Sequence, residues 1–364
     1  MKDGRSGDSG VRAAYWHTEG AVLRCYLCPH RCLIGPDEIG FCGTRSNLKG
    51  EMIALNYGKV CVSATDPIEK KPLYHFRPGS KLYSLGTFGC NLDCGNCQNS
   101  TLARLPADRA PYVVMKPEEV VNAAIARGAK GVAFTYNEPT VWIEFIMDVA
   151  ALLRQAGLFT VLNTNGFIES WAADDLYDMV EAANIDVKGM SDKFYAKQCR
   201  GKLGPVLETC AAARLAGVHV ELTYLLIPGL NDSAEEVGKF ASFVVRELGE
   251  DVPVHLYRFQ PSYRMSDLPP EDMKVVDRSY GIAKAKGLEY VYVGGVAGDS
   301  RQDTHCPSCG ALLVKRSSKE PIEPTFVLGE RISRYCPTYS EVALFLKEGR
   351  CPGCGRTIPI ALEG

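Results

Sequence analysis

The stretch GCNLDCGNCQN, residues 89–99, places three thiols at Cys90, Cys94 and Cys97. Thiols with this spacing can wrap one corner of a cubane iron–sulfur cluster, supplying three iron ligands and leaving the fourth iron open. A cluster that only transfers electrons normally has four protein ligands, so an open iron implies a further ligand from outside the chain. The alternative is that the three thiols belong to a zinc knuckle.

Outward from this stretch, between about residues 80 and 298, short apolar runs alternate with amphipathic segments. Repeated strand–helix units with short loops predict a parallel sheet. Glycines follow four of the helical segments, as expected of helix ends. The predicted strands are 82–85, 131–135, 160–163, 184–187, 218–226, 254–259 and 290–293, and the predicted helices are 117–127, 139–156, 170–181, 205–216, 233–248 and 272–286.

Polar residues follow five consecutive predicted strands, at 136–139, 163–166, 186–189, 227–231 and 258–261. In a βα barrel the active site lies at the carboxyl ends of the strands, so these loops would converge on one cavity. A doubly wound sheet would instead gather its functional residues at one switch point. Contributions from five strands favour an α/β fold of the barrel type, complete or partial.

Composition limits the function classes. The chain has 364 residues, a net charge of −2 and a pI near 6.3, which argues against non-specific coating of nucleic acid. No apolar run approaches the ~18 residues that span a bilayer, and no signal-peptide pattern is found, so we expect a cytoplasmic protein. In a reducing compartment the fifteen cysteines predict metal sites rather than disulfides.

Two further cysteine groups flank the predicted barrel. The amino-terminal group can supply four thiolates to a structural zinc ion, with a second iron–sulfur cluster as the alternative. The carboxy-terminal group forms two Cys-Pro-x-Cys-Gly knuckles, which predict a zinc-ribbon-like site; the 41 residues between the knuckles require an inserted loop or hairpin. Cys336 lies in this insertion and has no assigned role. The groups are Cys25, Cys28, Cys32 and Cys42, and Cys306, Cys309, Cys351 and Cys354.

The motifs, taken in order, resemble those of radical S-adenosylmethionine (radical SAM) enzymes related to the pyruvate formate-lyase-activating enzyme. The resemblance is strongest to the branch called AmmeMemoRadiSam-system radical SAM enzymes, and it spans roughly residues 21–360. It rests on the three-cysteine loop, the four-cysteine stretch before it, the segment 66–76, and the sequences at 136–139, 164–166, 186–188, 228–232 and 255–259.

The resemblance implies that Cys90, Cys94 and Cys97 bind a [4Fe–4S] cluster and that S-adenosylmethionine (SAM) takes the open iron. It also implies that the SAM site is lined by Glu138, Asn165, Asp186, Lys188 and His255. A carboxylate such as Glu138 suits the SAM ammonium group, and Asp186 and Lys188 can bracket a zwitterion. One position departs from the pattern: the residue before the third cysteine is usually aromatic, but here it is Asn96, so adenine would pack on another ring such as Phe88 or Tyr136.

The sequence thus predicts a partial (β/α)6-type, TIM-like barrel of the radical SAM class with small cysteine-rich modules at both ends. We expect a mobile lead-in at 1–20, a four-cysteine module and connector at 21–79, the barrel at 80–300 and the zinc-ribbon-like module at 301–364. The expected activity is reductive SAM cleavage and hydrogen-atom abstraction from a protein or peptide, with flavodoxin or ferredoxin as electron donor and no membrane or nucleic-acid partner. The alternatives are a small-molecule substrate and a non-catalytic zinc-scaffolded binding protein.

Overall fold

A computed structural model of the chain describes residues 10–319, 326–327, 330–331 and 338–362. Residues 1–9 of the predicted lead-in and the isolated Cys336 lie outside this part of the chain. Among the helices of the described residues, none combines the length and apolar character that a membrane crossing requires.

An eight-stranded sheet forms the centre of the molecule, and its strands lie side by side in sequence order. Seven are parallel, and an eighth, Val62–Pro67, pairs antiparallel with the first of them at one edge. Sequential order with right-handed crossovers places all connecting helices on one face, whereas a doubly wound sheet reverses its order. The edge strands do not pair with each other, so the barrel is partial, as predicted. The parallel strands are Lys81–Gly86, Gly131–Phe134, Phe159–Thr164, Ala182–Asp186, His219–Leu226, Val254–Arg258 and Val291–Gly294.

Six helices connect the seven parallel strands, which confirms the predicted (β/α)6 pattern. Gly128, Gly157, Gly217 and Gly287 follow four of these helices with φ between 65° and 105°, so they end the helices as expected. Three helices differ from the prediction at one end: a 3-10 turn, Pro139–Trp142, precedes the second, and a π-helical turn, Val244–Leu248, follows the fifth. The third ends at Tyr177, four residues before the predicted end. The six helices are Pro117–Ala126, Ile143–Gln155, Ser170–Tyr177, Leu203–Leu215, Ala234–Phe243 and Met273–Ala285.

The amino-terminal module consists of short strands in two small sheets. In one sheet Val11–Arg12 and Arg45–Leu48 flank Glu51–Ala54, and in the other Trp16–Glu19 and Leu33–Ile34 flank Val22–Cys25. A further ribbon pairs Lys59–Val60 with Val113–Val114. The remaining short helical elements are Ile68–Lys70, Ser100–Ala103, Asp192–Phe194, Tyr195–Cys199, Tyr263–Met265 and Ser300–Gln302.

The segment 68–76 fills one end of the barrel. Its apolar side chains Ile68, Leu73 and Phe76 form a buried cluster with residues from the first four parallel strands, among them Leu82 and Val161. The main-chain N–H groups of Tyr74 and His75 donate to one carboxylate oxygen of Glu221, at 2.8 and 2.6 Å. This polar contact and the apolar cluster fix the segment inside the barrel. We call residues 68–76 the plug.

The carboxy-terminal module packs against the last strand and the plug. Its strands Leu312–Lys319 and Thr338–Leu344 pair antiparallel, so a hairpin occupies the gap between the knuckles, as predicted. Arg316 is buried over the ring of Tyr74 and donates to the Tyr74 carbonyl at 2.6 Å. The module therefore packs against both the plug and the last parallel strand. Its other short strands are Thr304–His305, Phe326–Val327 and Glu330–Arg331.

Candidate functional site

The three-cysteine loop begins three residues after the first parallel strand ends at Gly86. Gly89 has φ of +86°, and a Cβ there would lie 2.4 Å from Thr44 Cγ2 and 2.5 Å from the Cys42 carbonyl oxygen, so only glycine fits. The next residue, Cys90, donates its main-chain N–H to the Cys42 carbonyl at 3.2 Å. The loop thus lies at the barrel mouth, in contact with the amino-terminal module.

The chemistry of the loop fits an iron–sulfur cluster. Cys90, Cys94 and Cys97 are partly buried free thiols. They do not form a group whose sulfur atoms all lie within 4.8 Å, although the described residues include such a group elsewhere. Such a wide separation of the sulfur atoms suits the ligands of one cubane, because each thiolate binds a different iron. The spacing is wider than that of thiols sharing a single ion.

Asn137 and Glu138, at the end of the second parallel strand, bind the neighbouring loops. Asn137 accepts from Thr87 N at 3.0 Å and donates to the Gly89 carbonyl at 2.9 Å, which fixes the entry to the cysteine loop. The carboxylate of Glu138 accepts from Thr164 Oγ1 at 2.6 Å and from Asn165 N at 2.8 Å, and it is 3% exposed. Burial raises the pKa of the Glu138 carboxyl, while these hydrogen bonds oppose the shift.

Asn165, at the end of the third parallel strand, contacts the cysteine loop directly. Its side-chain amide donates to Asn91 Oδ1 at 2.9 Å and lies 3.7 Å from Cys90 Sγ. Its carbonyl oxygen accepts from Phe167 N at 2.9 Å, so the amide orientation is fixed from both sides. A hydrogen bond to a cluster ligand is one of the ways in which a protein sets a cluster's reduction potential.

Asp186 and Lys188 follow the fourth parallel strand and form an ion pair of 2.6 Å. Burial alone would lower the pKa of Lys188, but the Asp186 charge outweighs it, so the pKa is raised and the ammonium stays charged. The Lys188 carbonyl also accepts from Asn231 Nδ2 at 2.8 Å, which ties this loop to the next one. A charged pair of opposite signs thus lies at the strand ends.

His255 has different surroundings. Its Nε2 lies 2.6 Å from Glu221 Oε2, and its ring packs on Tyr74 of the plug and on Tyr292. Burial lowers the pKa of His255, which keeps the ring neutral. Although burial alone would raise the pKa of Glu221, hydrogen bonds from His219 and His255 hold it well below its usual value. The structure therefore joins His255 to the plug and not to the cysteine loop.

Sequence reasoning missed the residues that clamp the cysteine loop from outside. Asp93, between two of the cysteines, pairs with Arg264 at 2.8 Å, and Arg264 also donates to the Asp93 carbonyl at 2.7 Å. Ser262 Oγ donates to the Asn96 carbonyl at 2.8 Å, and the Cys199 carbonyl accepts from Asp93 N at 2.8 Å. These partners are 100 or more residues away along the chain, so no local pattern indicates them.

The carboxy-terminal cysteines form a compact group. The sulfur atoms of Cys306, Cys309, Cys351 and Cys354 all lie within 4.8 Å of one another, and two of the pairs are 3.6 and 3.5 Å apart. In each knuckle the glycine after the second cysteine donates its N–H to the carbonyl of the first, at 2.9 Å. This group could hold a metal ion.

Comparisons with known proteins identify the class of this site. Residues 84–241 match the radical SAM superfamily model. An uncharacterized protein of Methanocaldococcus jannaschii, MJ0808, is 42% identical over 340 residues, which cover 93% of this chain and 96% of that protein. The pyruvate formate-lyase 1-activating enzyme of Escherichia coli is 22% identical over 219 residues, covering 56% of this chain and 89% of the enzyme. A GTP 3′,8-cyclase of Rhizobium leguminosarum is 29% identical over 158 residues, covering 42% and 45%.

The matched residues begin in the first parallel strand and include the cysteine loop and the strand ends that carry Glu138, Asn165, Asp186 and Lys188. Membership of that superfamily implies a [4Fe–4S] cluster and SAM, which agrees with three widely spaced thiols at the mouth of a partial barrel. The chain thus contains a radical SAM superfamily domain at residues 84–241.

Proposed function

We propose that the chain is a radical SAM enzyme of the activating-enzyme type that abstracts a hydrogen atom from a protein or peptide. The observation that carries this proposal is the three-thiol loop at the mouth of a partial barrel, with Asn165 in contact with Cys90. When bound, the cluster supplies the electron that splits SAM into methionine and a 5′-deoxyadenosyl radical. Cys90, Cys94 and Cys97 are the proposed cluster ligands.

The proposed SAM site uses the strand-end residues in different ways. Asp186 and Lys188 carry opposite charges that complement the carboxylate and ammonium groups of SAM. Asn165 contacts the proposed cluster ligand Cys90. Glu138 already accepts three protein hydrogen bonds, including one from Asn165 N, which supports a positioning role for this carboxylate. The contacts of His255 with Glu221 and Tyr74 likewise support an indirect positioning role, without direct contact between His255 and SAM.

A protein or peptide substrate is supported by the likeness to the activating enzyme and by the motifs that resemble those of the AmmeMemoRadiSam branch. A small-molecule substrate is the second candidate, because the chain also resembles a GTP 3′,8-cyclase. As electron donor we propose a flavodoxin or ferredoxin. The abundance of free thiols supports a cytoplasmic location, and the division into 1–20, 21–79, 80–300 and 301–364 is kept as the proposed domain organisation.

We assign zinc to the carboxy-terminal knuckles. A tetrahedron with Zn–S bonds of about 2.3 Å separates its sulfur atoms by about 3.8 Å, close to the observed 3.6 and 3.5 Å. The module packs against the plug and the last parallel strand, and the charge pattern gives no support for nucleic-acid binding, so the proposed role of this ion is structural.

The test of the activity is release of 5′-deoxyadenosine. Anaerobically reconstituted enzyme with dithionite and SAM should produce it, Cys97→Ala should not, and Cys61→Ala, which changes an isolated and partly buried thiol, should behave like the wild type. A wild-type protein that holds a reducible cluster but yields no 5′-deoxyadenosine would overturn the proposal.

The substrate class is tested by deuterium transfer. A lysate from cells of the source organism grown in deuterated medium is separated into macromolecules and small molecules, and each fraction is incubated with enzyme and SAM. Deuterium in 5′-deoxyadenosine from the macromolecular fraction, lost after protease treatment, supports a protein substrate. Deuterium from the small-molecule fraction alone favours the second candidate.

A further inference from the structure

The four amino-terminal cysteines surround a cavity. Cys25, Cys28, Cys32 and Cys42 all line one cavity. The rest of the lining is largely apolar, with Leu27, Ile34, Phe41 and Val141 among the contributors. Four thiols around one apolar cavity form a closed ligand set for a metal centre.

The spacing of these thiols differs from that of the carboxy-terminal knuckles. No three of the four sulfur atoms lie within 4.8 Å of one another, although all of these residues are in the described part of the chain, whereas the knuckle sulfurs all do. A single tetrahedral zinc ion requires close sulfur atoms, while the four irons of a cubane hold their thiolates apart. In this respect the amino-terminal group resembles Cys90, Cys94 and Cys97.

A buried cation faces the cavity. Arg45 lines it, is 1% exposed and pairs through Nη2 with Glu144 at 2.5 Å, but its Nε has no hydrogen-bond acceptor among the described residues. A buried donor without an acceptor is costly. A cubane ligated by four thiolates is anionic and presents sulfide acceptors in addition to its thiolates, so it offers acceptors to this donor.

The cavity also adjoins the catalytic loop. The hydrogen bond from Cys90 N to the Cys42 carbonyl joins a ligand of one group to a ligand of the other. Nearby, His30 Nε2 lies 2.7 Å from the Asn91 carbonyl, and both residues line the cavity. A through-bond path from Cys42 Sγ to Cys90 Sγ therefore crosses one hydrogen bond and only two residues.

We propose that Cys25, Cys28, Cys32 and Cys42 bind a second [4Fe–4S] cluster, which passes single electrons to the cluster at Cys90, Cys94 and Cys97. A one-electron donor of the reduced flavin or iron–sulfur class is oxidised, and the second cluster goes from the 2+ to the 1+ state. That electron then reduces the catalytic cluster, and the second cluster returns to 2+; no atom or proton is transferred. The site stands on its own geometry, and its relay role rests on the proposed function.

Metal analysis of anaerobically purified protein tests the site. We expect about eight irons, about eight sulfides and about one zinc per chain. The triple variant Cys90→Ala/Cys94→Ala/Cys97→Ala should keep about four irons, and the double variant Cys28→Ser/Cys42→Ser should also keep about four, bound at the other site. About four irons and two zinc ions in the wild type, which is independent of whether the variants fold, would overturn the proposal.

The outcomes separate this inference from the proposed function. Eight irons without 5′-deoxyadenosine would leave the second cluster standing and remove the activity, whereas four irons with 5′-deoxyadenosine would do the reverse. The relay is tested by electron paramagnetic resonance of the reduced wild type, which should show spin coupling between two adjacent clusters. A wild-type spectrum equal to the sum of the two variants' spectra would overturn the relay.

Discussion

The Glu138 carboxylate accepts the main-chain N–H of Asn165 at 2.8 Å and so joins the ends of two neighbouring barrel strands. The same carboxylate accepts from Thr164 Oγ1 and from Thr140 N. Since Asn165 in turn contacts Cys90 and Asn91, this single buried group positions the loop that lies against the cluster.

Glu138→Gln should weaken SAM binding. The substitution replaces one carboxylate oxygen, an acceptor, with an NH2 group that faces other donors. This mismatch costs about 1–3 kcal/mol. If the whole cost falls on the SAM-bound state, the dissociation constant rises roughly 5- to 150-fold. Equilibrium dialysis of SAM with the oxidised enzyme measures the change. Glu181→Gln is the matched control, because Glu181 accepts from Thr160 N at the start of the strand that Asn165 follows, far from the cysteine loop end. Unchanged SAM affinity in Glu138→Gln would contradict the positioning role.

Asn165→Ala should lower the reduction potential of the catalytic cluster. The variant removes the amide 3.7 Å from Cys90 Sγ, and loss of a hydrogen bond to a cluster ligand favours the oxidised state. A redox titration followed by electron paramagnetic resonance measures the midpoint potential of the cluster. Asn163→Ala, two residues earlier in the chain, is the control. An equal or higher midpoint in Asn165→Ala would show that this contact does not tune the cluster.

Arg264→Ala should make the catalytic cluster easier to lose. Arg264 is half exposed, so its ion pair with Asp93 contributes only about 0.5–1 kcal/mol, and iron release should accelerate roughly two- to five-fold. Anaerobic transfer of iron to a chelator measures the rate. Arg246→Ala removes a comparable surface pair with Glu247 far from the loop and should leave the rate unchanged. Equal rates in both variants would contradict the clamp.

His75 should make the protein less stable as the pH falls. Burial lowers the pKa of this plug residue to about 3, from 6.5. Below pH 6.5 the unfolded chain therefore binds a proton that the folded chain does not, so the free energy of unfolding falls with decreasing pH between about 6.5 and 3.

Chemical unfolding between pH 5.5 and 7.5 tests this, because it avoids acid loss of the clusters. His75→Gln should show a shallower dependence than the wild type, while His305→Gln, which changes an exposed histidine, should not. The comparison uses the slope of the free energy of unfolding against pH and not the free energy itself, so a less stable variant can still be compared with the wild type. Identical slopes would mean that His75 is not the group that titrates.

Cys354→Ser should remove about one zinc ion per chain and leave the iron content unchanged. The knuckle thiols Cys309 and Cys354 are exposed, so the ion is accessible to chelators. Binding of a structural metal contributes folding free energy, and the module packs on the plug through Arg316, so the thermal midpoint should fall. Elemental analysis and calorimetry measure both effects. Retention of zinc by Cys354→Ser would contradict the assignment.

Much of the fold was readable from the sequence. Runs of apolar residues and glycine helix ends gave all seven parallel strands and six helices, because parallel strands buried on both faces leave a strong local pattern. The position of the polar residues at strand ends also predicted that Glu138 and Asn165 would lie together. The sequence predicted less well the details that depend on tertiary contacts.

Three residues show where the sequence pattern ends. Asp93 pairs with Arg264 and donates its N–H to the Cys199 carbonyl, and both partners are distant in the chain, so neither contact had a local signal. For His255 the resemblance implied a place in the SAM site, but the buried carboxylate of Glu221 on the neighbouring strand is its hydrogen-bond partner. Spacing alone also could not choose between zinc and a cluster at Cys25–Cys42, because the distance between sulfur atoms depends on the folded loops.

The contact of the plug segment with Ala361 bears on the order in which the fold is completed during synthesis. Arg77 N donates to the Ala361 carbonyl at 2.7 Å, and Ala361 N donates to the His75 carbonyl at 2.8 Å. These bonds cannot form until residue 361 has left the ribosome, although the barrel strands emerge earlier. The cysteine loop and all the barrel strands are therefore synthesised before the plug can gain its hydrogen bonds with Ala361.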